Sequence, residues 1–525
     1  MGKVHKGATE VPSRKRTTLT NLARDYATMV LLAIQGIVLV PIYLHSIEPR
    51  LYGAWLATGS IVAMLGMLDF GFSSVIVQAT ATIAGSRDKS QLGTLIGTSV
   101  VVTLVLSLVP ILTAAIIHAR VPIWINVIGP DAKEISKAFV IAGATTSLML
   151  VSYGVGAVFL GVQRVGILSI QFICAFAVGI ASTLLFLSLR WGIVSIPYGL
   201  LVQAMLLSGG HGAYLVLWIR KNLPVGSVRF RRAMFLELFH KSTWVFIGRL
   251  SATATTQSDN LVVAAMIDPR LTIVLALTRK AADIVSTLAS RVSSAFMSSL
   301  AHLSGGEEAD AARARRFMLT ILKVSALAAI VGMGGVFLLN ELFVRLWVGS
   351  QFYGGALLTG VLCLSGVLLI LNTCLYNNIF STGQVRVSSV ATVCEAVVRI
   401  PLSVALCHRY GVLGVVLAGV IGTVPTSLLI QSYRFIGIVE WDWRRAGSAA
   451  FVLLLKALPP VGLGFVVREV WGPRSLTDFL LFVVGYSGFA VAFYCYADLD
   501  VRQMASRGIK AVASSVGVHG KSDLW

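Results

Sequence analysis

The sequence predicts an all-α integral membrane protein of about 14 transmembrane helices, with two parallel six-helix lobes around a central cavity and two further C-terminal helices. Three observations lead there. The composition is 56% hydrophobic and only 13% charged over 525 residues, with a mean hydropathy of +0.83, far from the mixture that keeps a globular domain in water. Apolar stretches of about 18–25 residues, bounded by charge, Gly or Pro, recur along the whole chain. Short loop sequences also recur at an offset of about 220 residues.

The elements follow in order. Residues 1–23 form a basic tail with Lys3, Lys6, Arg14, Lys15 and Arg16. The first apolar run behind it has the length of a spanning helix rather than of a signal core, so it is expected to stay in the mature chain. Helices 1 to 6 are predicted over 24–46, 52–84, 92–117, 135–160, 167–189 and 193–219, making an N-lobe over 24–219. The second is over-long for a bilayer and is expected to tilt or to project beyond it. A basic linker at 220–242 carries Arg220, Lys221, Arg229, Arg231, Arg232 and Lys241. Helices 7 to 12, over 243–267, 271–300, 317–340, 355–379, 388–407 and 412–436, make a C-lobe over 243–436. Helices 13 and 14, over 447–469 and 476–497, lie in an added segment at 437–497, and a second tail covers 498–525.

An even number of spans places both termini on one side. Lys and Arg in alternate loops split about 25 to about 9 in favour of that side, so both termini are expected in the cytoplasm. This asymmetry accounts for the formal charge of +20 by orientation and contact with anionic headgroups, without nucleic acid. The repeat rests on Glu48-Pro49-Arg50-Leu51 after helix 1 against Asp268-Pro269-Arg270-Leu271 after helix 7, and on Ser73-Ser74 in helix 2 against Ser293-Ser294 in helix 8. Arg190-Trp191-Gly192 against Arg409-Tyr410-Gly411, and Gln163-Arg164 against Gln384 and Arg386, extend it. Because six is even, the halves share an orientation and are related by an axis along the membrane normal.

Intramembrane charges are the candidate functional groups, since each costs at least about 2.5–3.5 kcal/mol at a helix centre and turns toward protein or water. Arg24 and Asp25 lie near the cytoplasmic end of helix 1, Asp69 in helix 2, Arg249 and Asp259 in helix 7, and Arg279, Lys280, Asp283 and Arg291 in helix 8. Helix 11 adds Glu395 and Arg399, and helix 13 adds Lys456, read as a snorkelling or packing residue. At about 100° per residue the four groups of helix 8 share an arc of roughly 120°, a mostly cationic face. Helix 7 places Ser251, Thr253, Thr255, Thr256, Gln257, Ser258, Asp259 and Asn260 together, more polar groups than hydrocarbon tolerates. A cationic face suits an anionic headgroup, because guanidinium and ammonium groups bind phosphate oxygens. Arg249, Arg279, Lys280 and Arg291 are therefore the candidate binding residues, and Asp25, Asp69, Asp259, Asp283, Glu395 and Arg399 the candidate coupling or gating groups. Arg279 with Asp283, and Glu395 with Arg399, are spaced i, i+4 and also read as structural pairs.

No enzyme signal accompanies them. The six cysteines lie in apolar segments without paired spacing, the eight histidines are scattered, and no loop is long enough for a catalytic or ATPase domain. No catalytic residue, metal site or cofactor is expected. Energy would come from an ion gradient or from the substrate gradient.

Pro41, Leu51-Tyr52-Gly53-Ala54-Trp55 and Leu68-Asp69-Phe70-Gly71-Phe72 resemble the helix 1–2 signature of the polysaccharide exporters, the O-antigen-flippase type within the multidrug/oligosaccharidyl-lipid/polysaccharide superfamily. Gly161-Val162-Gln163-Arg164, Asp259-Asn260 and Leu346-Trp347-Val348-Gly349 extend the resemblance over about the first twelve helices. It implies flipping of an undecaprenyl-diphosphate-linked oligosaccharide across a bacterial inner membrane, with proton or sodium coupling left open and polysaccharide polymerase machinery as a partner. A multidrug/cation antiporter of the same superfamily is the alternative, and that reading prefers acidic residues where the excess here is basic. A membrane-embedded glycan polymerase or ligase ranks third, because the sizeable external loop such enzymes need is missing.

Overall fold

A computed structural model describes residues 31, 34–86, 88–162, 164–304, 308–498 and 502, and among them it contains helices and no strand. Asp25, Arg24 and the two predicted tails, apart from Asp498 and Arg502, lie outside the described residues. The first half is built from α1 (Ile34–Ser46), α2 (Pro49–Leu65), α3 (Phe72–Ser86), α4 (Lys89–Ile117), the single turn α5 (Val121–Trp124), α6 (Pro130–Gly161), α7 (Val165–Ser188) and α8 (Ser195–Asn222). The second contains α9 (Arg232–Met266), α10 (Pro269–Ser304), α11 (Glu308–Trp347), α12 (Ala356–Ser381), α13 (Val385–Thr423) and α14 (Leu429–Ile438), followed by α15 (Trp443–Trp471) and α16 (Leu476–Ala497). Nine helical segments of the described chain are long and apolar enough to cross a membrane, which makes this a multi-pass membrane protein.

Three expectations change in detail. The over-long second helix is two helices. The chain leaves α2 after Leu65 and re-enters a helix at Phe72, with Phe70 at φ +53° and Gly71 at φ +69°. Asp69 Oδ1 accepts from the Gly71 amide at 2.8 Å, and the Phe70 ring packs against Phe246 with centroids 4.4 Å apart and planes tilted by 38°, so tertiary contacts hold a phenylalanine in a left-handed conformation it would not choose alone. Most of the expected linker is helix: α8 runs to Asn222 and α9 begins at Arg232, leaving 223–231 as the connection. That connection is pinned to α4, where the Arg231 amide donates to Thr98 Oγ1 at 3.1 Å. Predicted helices 11 and 12 form one hairpin, α13, whose legs at 385–410 and 412–423 reverse at Gly411 with φ +58°. Only glycine takes that conformation without strain.

Helices at the repeat offset pack alike. α4 lies on α6 as α11 lies on α12, and α3 lies on α6 as α10 lies on α12. α2 and α10, each opened by a proline whose missing N–H costs nothing at that position, meet at their N-terminal ends. A Cβ on Gly53 would fall 2.0 Å from the Pro269 carbonyl oxygen, so the two helices touch through backbone. Glu48 and Arg270 pair across this seam at 3.8 Å, Asn126 Nδ2 donates to the Ala265 carbonyl at 2.8 Å, and Trp347 Nε1 donates to the Ile37 carbonyl at 2.6 Å. Leu51, Tyr52, Trp55, Phe139, Ala264, Ile273 and Leu277 fill one apolar cluster beneath these contacts. These contacts join the two halves at this end of the bundle.

Outward-facing apolar residues dominate α15 and α16, as lipid contact requires. Lys456 does not snorkel: it and Lys323 of α11 each place Nζ 2.6 Å from a different oxygen of Asp498, which is itself buried just past α16. Burial pushes the Asp498 carboxyl up, but the hydrogen bonds and charges of Lys323 and Lys456 outweigh it and hold the group below the ordinary carboxylate range. A depressed folded-state value means the clamp contributes fully above the unfolded value and is lost as pH falls through the folded one. Asp498→Asn is therefore expected to lower the thermal midpoint of the purified protein by an amount constant from pH 7 down to about 5, shrinking only below about pH 4. A deficit that grows toward acid would contradict the clamp.

Candidate functional site

The polar run of α9 satisfies itself to a large extent. Ser251, Thr255, Thr256 and Ser258 donate to carbonyls three or four residues back, at 2.9, 2.7, 3.1 and 3.1 Å, so this density of hydroxyls is not in itself a cavity wall. Asp259 is different. A carboxylate has no hydrogen to donate to its own helix, and this one is only 2% exposed. Both of its oxygens turn to α13, where Arg399 Nη2 lies 3.2 and 3.0 Å away, and Oδ2 also receives Arg279 Nη1 of α10 at 2.8 Å.

The chain of charges continues on both sides. Arg279 Nε reaches Asp283 Oδ1 at 3.1 Å, and Arg399 Nη1 lies 3.8 Å from Glu395 Oε1. Glu395 in turn accepts from Thr423 Oγ1 at 2.6 Å and from Asn372 Nδ2 at 3.4 Å. Ser427 donates to Asn372 Oδ1 at 2.8 Å, and Gln431 donates to Ser427 at 3.2 Å. Signs alternate as Asp283, Arg279, Asp259, Arg399, Glu395. An isolated ion in this medium would cost several kcal/mol or more, and alternation with hydrogen-bonded ends is the arrangement that offsets it. Glycine makes the room: a Cβ on Gly419 would lie 3.1 Å from the Arg399 Cζ, and one on Gly422 would lie 3.0 Å from its Cβ.

Five of the residues singled out in the sequence thus meet, namely Asp259, Arg279, Asp283, Glu395 and Arg399, and four are not part of the cluster. The supposed single face of α10 divides, because a 120° arc is wide enough to cover both a helix contact and its free edge. Arg279 turns inward to the cluster. Lys280 extends to α1, where a Cβ on Gly36 would lie 2.7 Å from its Nζ. Asp283, Thr287, Arg291 and Ser294 are exposed at i, i+4, i+8 and i+11, one polar stripe on a helix about 54 Å long. Arg249 is exposed on α9, within electrostatic range of the Tyr376 hydroxyl of α12. Arg249, Lys280 and Arg291 have no carboxylate partner among the described residues. Asp69, half-buried at the α2–α3 break, caps Gly71 and likewise has no cationic partner among them. Thr423, Asn372, Ser427 and Gln431 were not anticipated. Lone polar residues in apolar helices are the signal that marks them.

Comparison with known proteins bears on the family and the fold. Residues 26–301, just over half of the chain, match the family model described as polysaccharide biosynthesis protein. No curated protein matches the sequence. Among solved structures, the lipid II flippase MurJ in an inward closed conformation is similar with a TM-score of 0.69 at 14% identity, covering 91% of this chain and 99% of that one. An inward-facing multidrug resistance MATE family transporter of the MOP superfamily gives 0.63 at 14% identity, over 79% and 95% of the two chains. The MATE multidrug transporter DinF-BH gives 0.57 at 15% identity, over 84% and 100%. At these identities the likeness establishes a shared fold.

Removing the central carboxylate should be the most damaging single change in the cluster. Asp259→Ala leaves two guanidinium groups in the interior and is expected to cost about 3–5 kcal/mol of stability. Asp283→Ala, at a carboxylate 52% exposed, is expected to cost less than about 1 kcal/mol. Denaturation of the purified variants in detergent compares them, and equal losses would show that Asp259 does not hold the cluster together.

Proposed function

The chain belongs to the polysaccharide biosynthesis protein family, and from that premise we propose that it flips a polyprenyl-diphosphate-linked oligosaccharide repeat unit across the bacterial inner membrane by alternating access, for surface polysaccharide biosynthesis. The observation that carries this reading is the set of three cations, Arg249, Lys280 and Arg291, that have no acidic partner among the described residues. A diphosphate is the kind of ligand such cations attract, Arg249 from α9 and Lys280 and Arg291 from positions about 16 Å apart along α10. Its oxygens accept from guanidinium and ammonium groups together, and a planar guanidinium matches two phosphate oxygens at once. Thr287, Ser290 and Ser294 on the same helix give the sugars hydroxyl partners, while the polyprenyl chain stays in lipid. A flippase with a lipid-linked substrate among the structural neighbours supports the same choice.

In this mechanism the seam of α2 and α10, at the outer end by the charge asymmetry of the loops, is one end of the alternating cycle, and the headgroup arrives from the cytoplasmic leaflet. Arg279 orients the binding face while tied to Asp259 and Asp283. Of Asp69, Asp259, Asp283 and Glu395, Asp69 is the one without a guanidinium partner among the described residues, so it is the carboxylate assigned to ion coupling or gating. Polymerase machinery would receive the flipped unit at the outer leaflet.

The MATE likeness favours a second reading, antiport of organic cations. It demands free acidic groups facing the substrate path, and among the described candidate residues without an oppositely charged partner three are basic and only Asp69 is acidic. Two measurements separate the readings. Single alanine substitutions at Arg249, Lys280 and Arg291 are expected to weaken headgroup binding roughly 10-fold or more each, as the loss of a charge-assisted hydrogen bond does. The triple variant should accumulate lipid-linked repeat units on the cytoplasmic leaflet. Full polymer export by the triple variant at normal protein level, or saturable binding of organic cations in place of the diphosphate lipid, would reject the flippase reading.

A further inference from the structure

Resemblance to polysaccharide exporters leaves sodium open as a coupling ion, and an alkali cation needs several oxygens converging from more than one element. Among the described residues no group of three or more Asp, Glu, His or Cys side chains is placed to hold a metal. The nearest approach to an oxygen set is the buried cluster: both oxygens of Asp259 on α9, Glu395 Oε1 on the first leg of α13, and Thr423 Oγ1 on the second. Each already faces a guanidinium or its partner. Arg399 Nη2 lies 3.2 and 3.0 Å from the Asp259 oxygens, and Nη1 lies 3.8 Å from the Glu395 oxygen that takes the Thr423 hydroxyl at 2.6 Å. Gly419 and Gly422 leave the space this side chain fills, with hypothetical Cβ positions only 3.1 and 3.0 Å from it. Arg279 brings a second positive charge to Asp259 at 2.8 Å. A sodium ion entering here would meet two fixed like charges and oxygens whose lone pairs are committed.

We infer that Arg399 is a tethered cation: its guanidinium occupies the oxygen cluster of Asp259, Glu395 and Thr423 that a soluble alkali ion would otherwise take, so this cluster works independently of sodium. The cation travels with the protein and cannot be released down a gradient. Whatever ion couples transport binds elsewhere, whichever substrate is carried.

The test compares thermal midpoints of the full-length protein in detergent in sodium, potassium and choline chloride at equal ionic strength. The wild type, and Arg399→Lys, which keeps a charge, are expected to show no sodium-specific rise that depends on Glu395. Arg399→Gln vacates the charge and is expected to melt lower in choline and to recover several degrees in sodium, because a ligand that binds only the folded state raises its midpoint. The added change Glu395→Gln should abolish that recovery. A sodium-specific rise in the wild type that Glu395→Gln removes overturns the inference, and so does an Arg399→Gln protein that ignores the cation. Should Arg399→Gln fail to fold in every salt, binding of radioactive sodium to the wild type decides: no binding, or binding that Glu395→Gln leaves intact, supports the tethered cation, and saturable binding lost in Glu395→Gln overturns it. No arm uses the transported lipid, so this inference and the flippase reading fail separately.

Discussion

The carboxylate of Asp259 is the constraint on which the second half of the molecule depends. One residue on α9 binds Arg279 on α10 and Arg399 on α13, and through Glu395 the same charge chain reaches Asn372 on α12 and Thr423 on the returning leg. Four helices that would otherwise slide on apolar surfaces are held in register by it. In lipid there is little hydrophobic drive between helices, so van der Waals fit and interhelical hydrogen bonds decide which faces meet. A charge that must find its partner is a stronger selector than a methyl group that fits in several places, since leaving it unpaired is so costly.

Two regions of the bundle are held by different forces. At the seam between halves, α2 and α10 touch through backbone and apolar side chains, with a few hydrogen bonds and one exposed ion pair across them among the described residues. Such a contact can part and re-form at modest cost. The charge cluster of the second half cannot part without stranding ions. Under the proposed cycle, motion therefore belongs at the seam, and the cluster moves as one piece with the helices it joins.

Much of the architecture was legible because apolar length is a direct physical requirement of crossing a bilayer. The spans predicted at 92–117, 167–189 and 476–497 fall on α4, α7 and α16 to within a few residues. What stayed hidden was tertiary in origin. Nothing in Leu68-Asp69-Phe70-Gly71-Phe72 announces a helix break, because the left-handed Phe70 is stabilised by Phe246, 176 positions further along. The same division runs through the site. Arg279 with Asp283, and Glu395 with Arg399, are readable from their i, i+4 spacing. The bond from Arg399 to Asp259 spans 140 residues and has no local signature. The bond from Arg279 to Asp259 on the neighbouring helix, equally without an i, i+4 signature, is what takes Arg279 out of the cationic face expected of it and leaves Arg249, Lys280 and Arg291 without a carboxylate partner among the described residues.

The hairpin of α13 has a consequence for how the protein is made. Its first leg carries Glu395 and Arg399 and reaches the membrane long after α9, the helix holding the carboxylate that Arg399 requires. A lone segment with two ionised groups inserts poorly. It gains its inward partner only from a helix synthesised earlier, and its covering glycines and Thr423 only when the chain has turned at Gly411 and come back. Ribosomal order is thus written into the fold: the nascent chain cannot stably admit this segment until about a dozen residues beyond the turn have emerged, and the membrane accepts the two legs as a single unit.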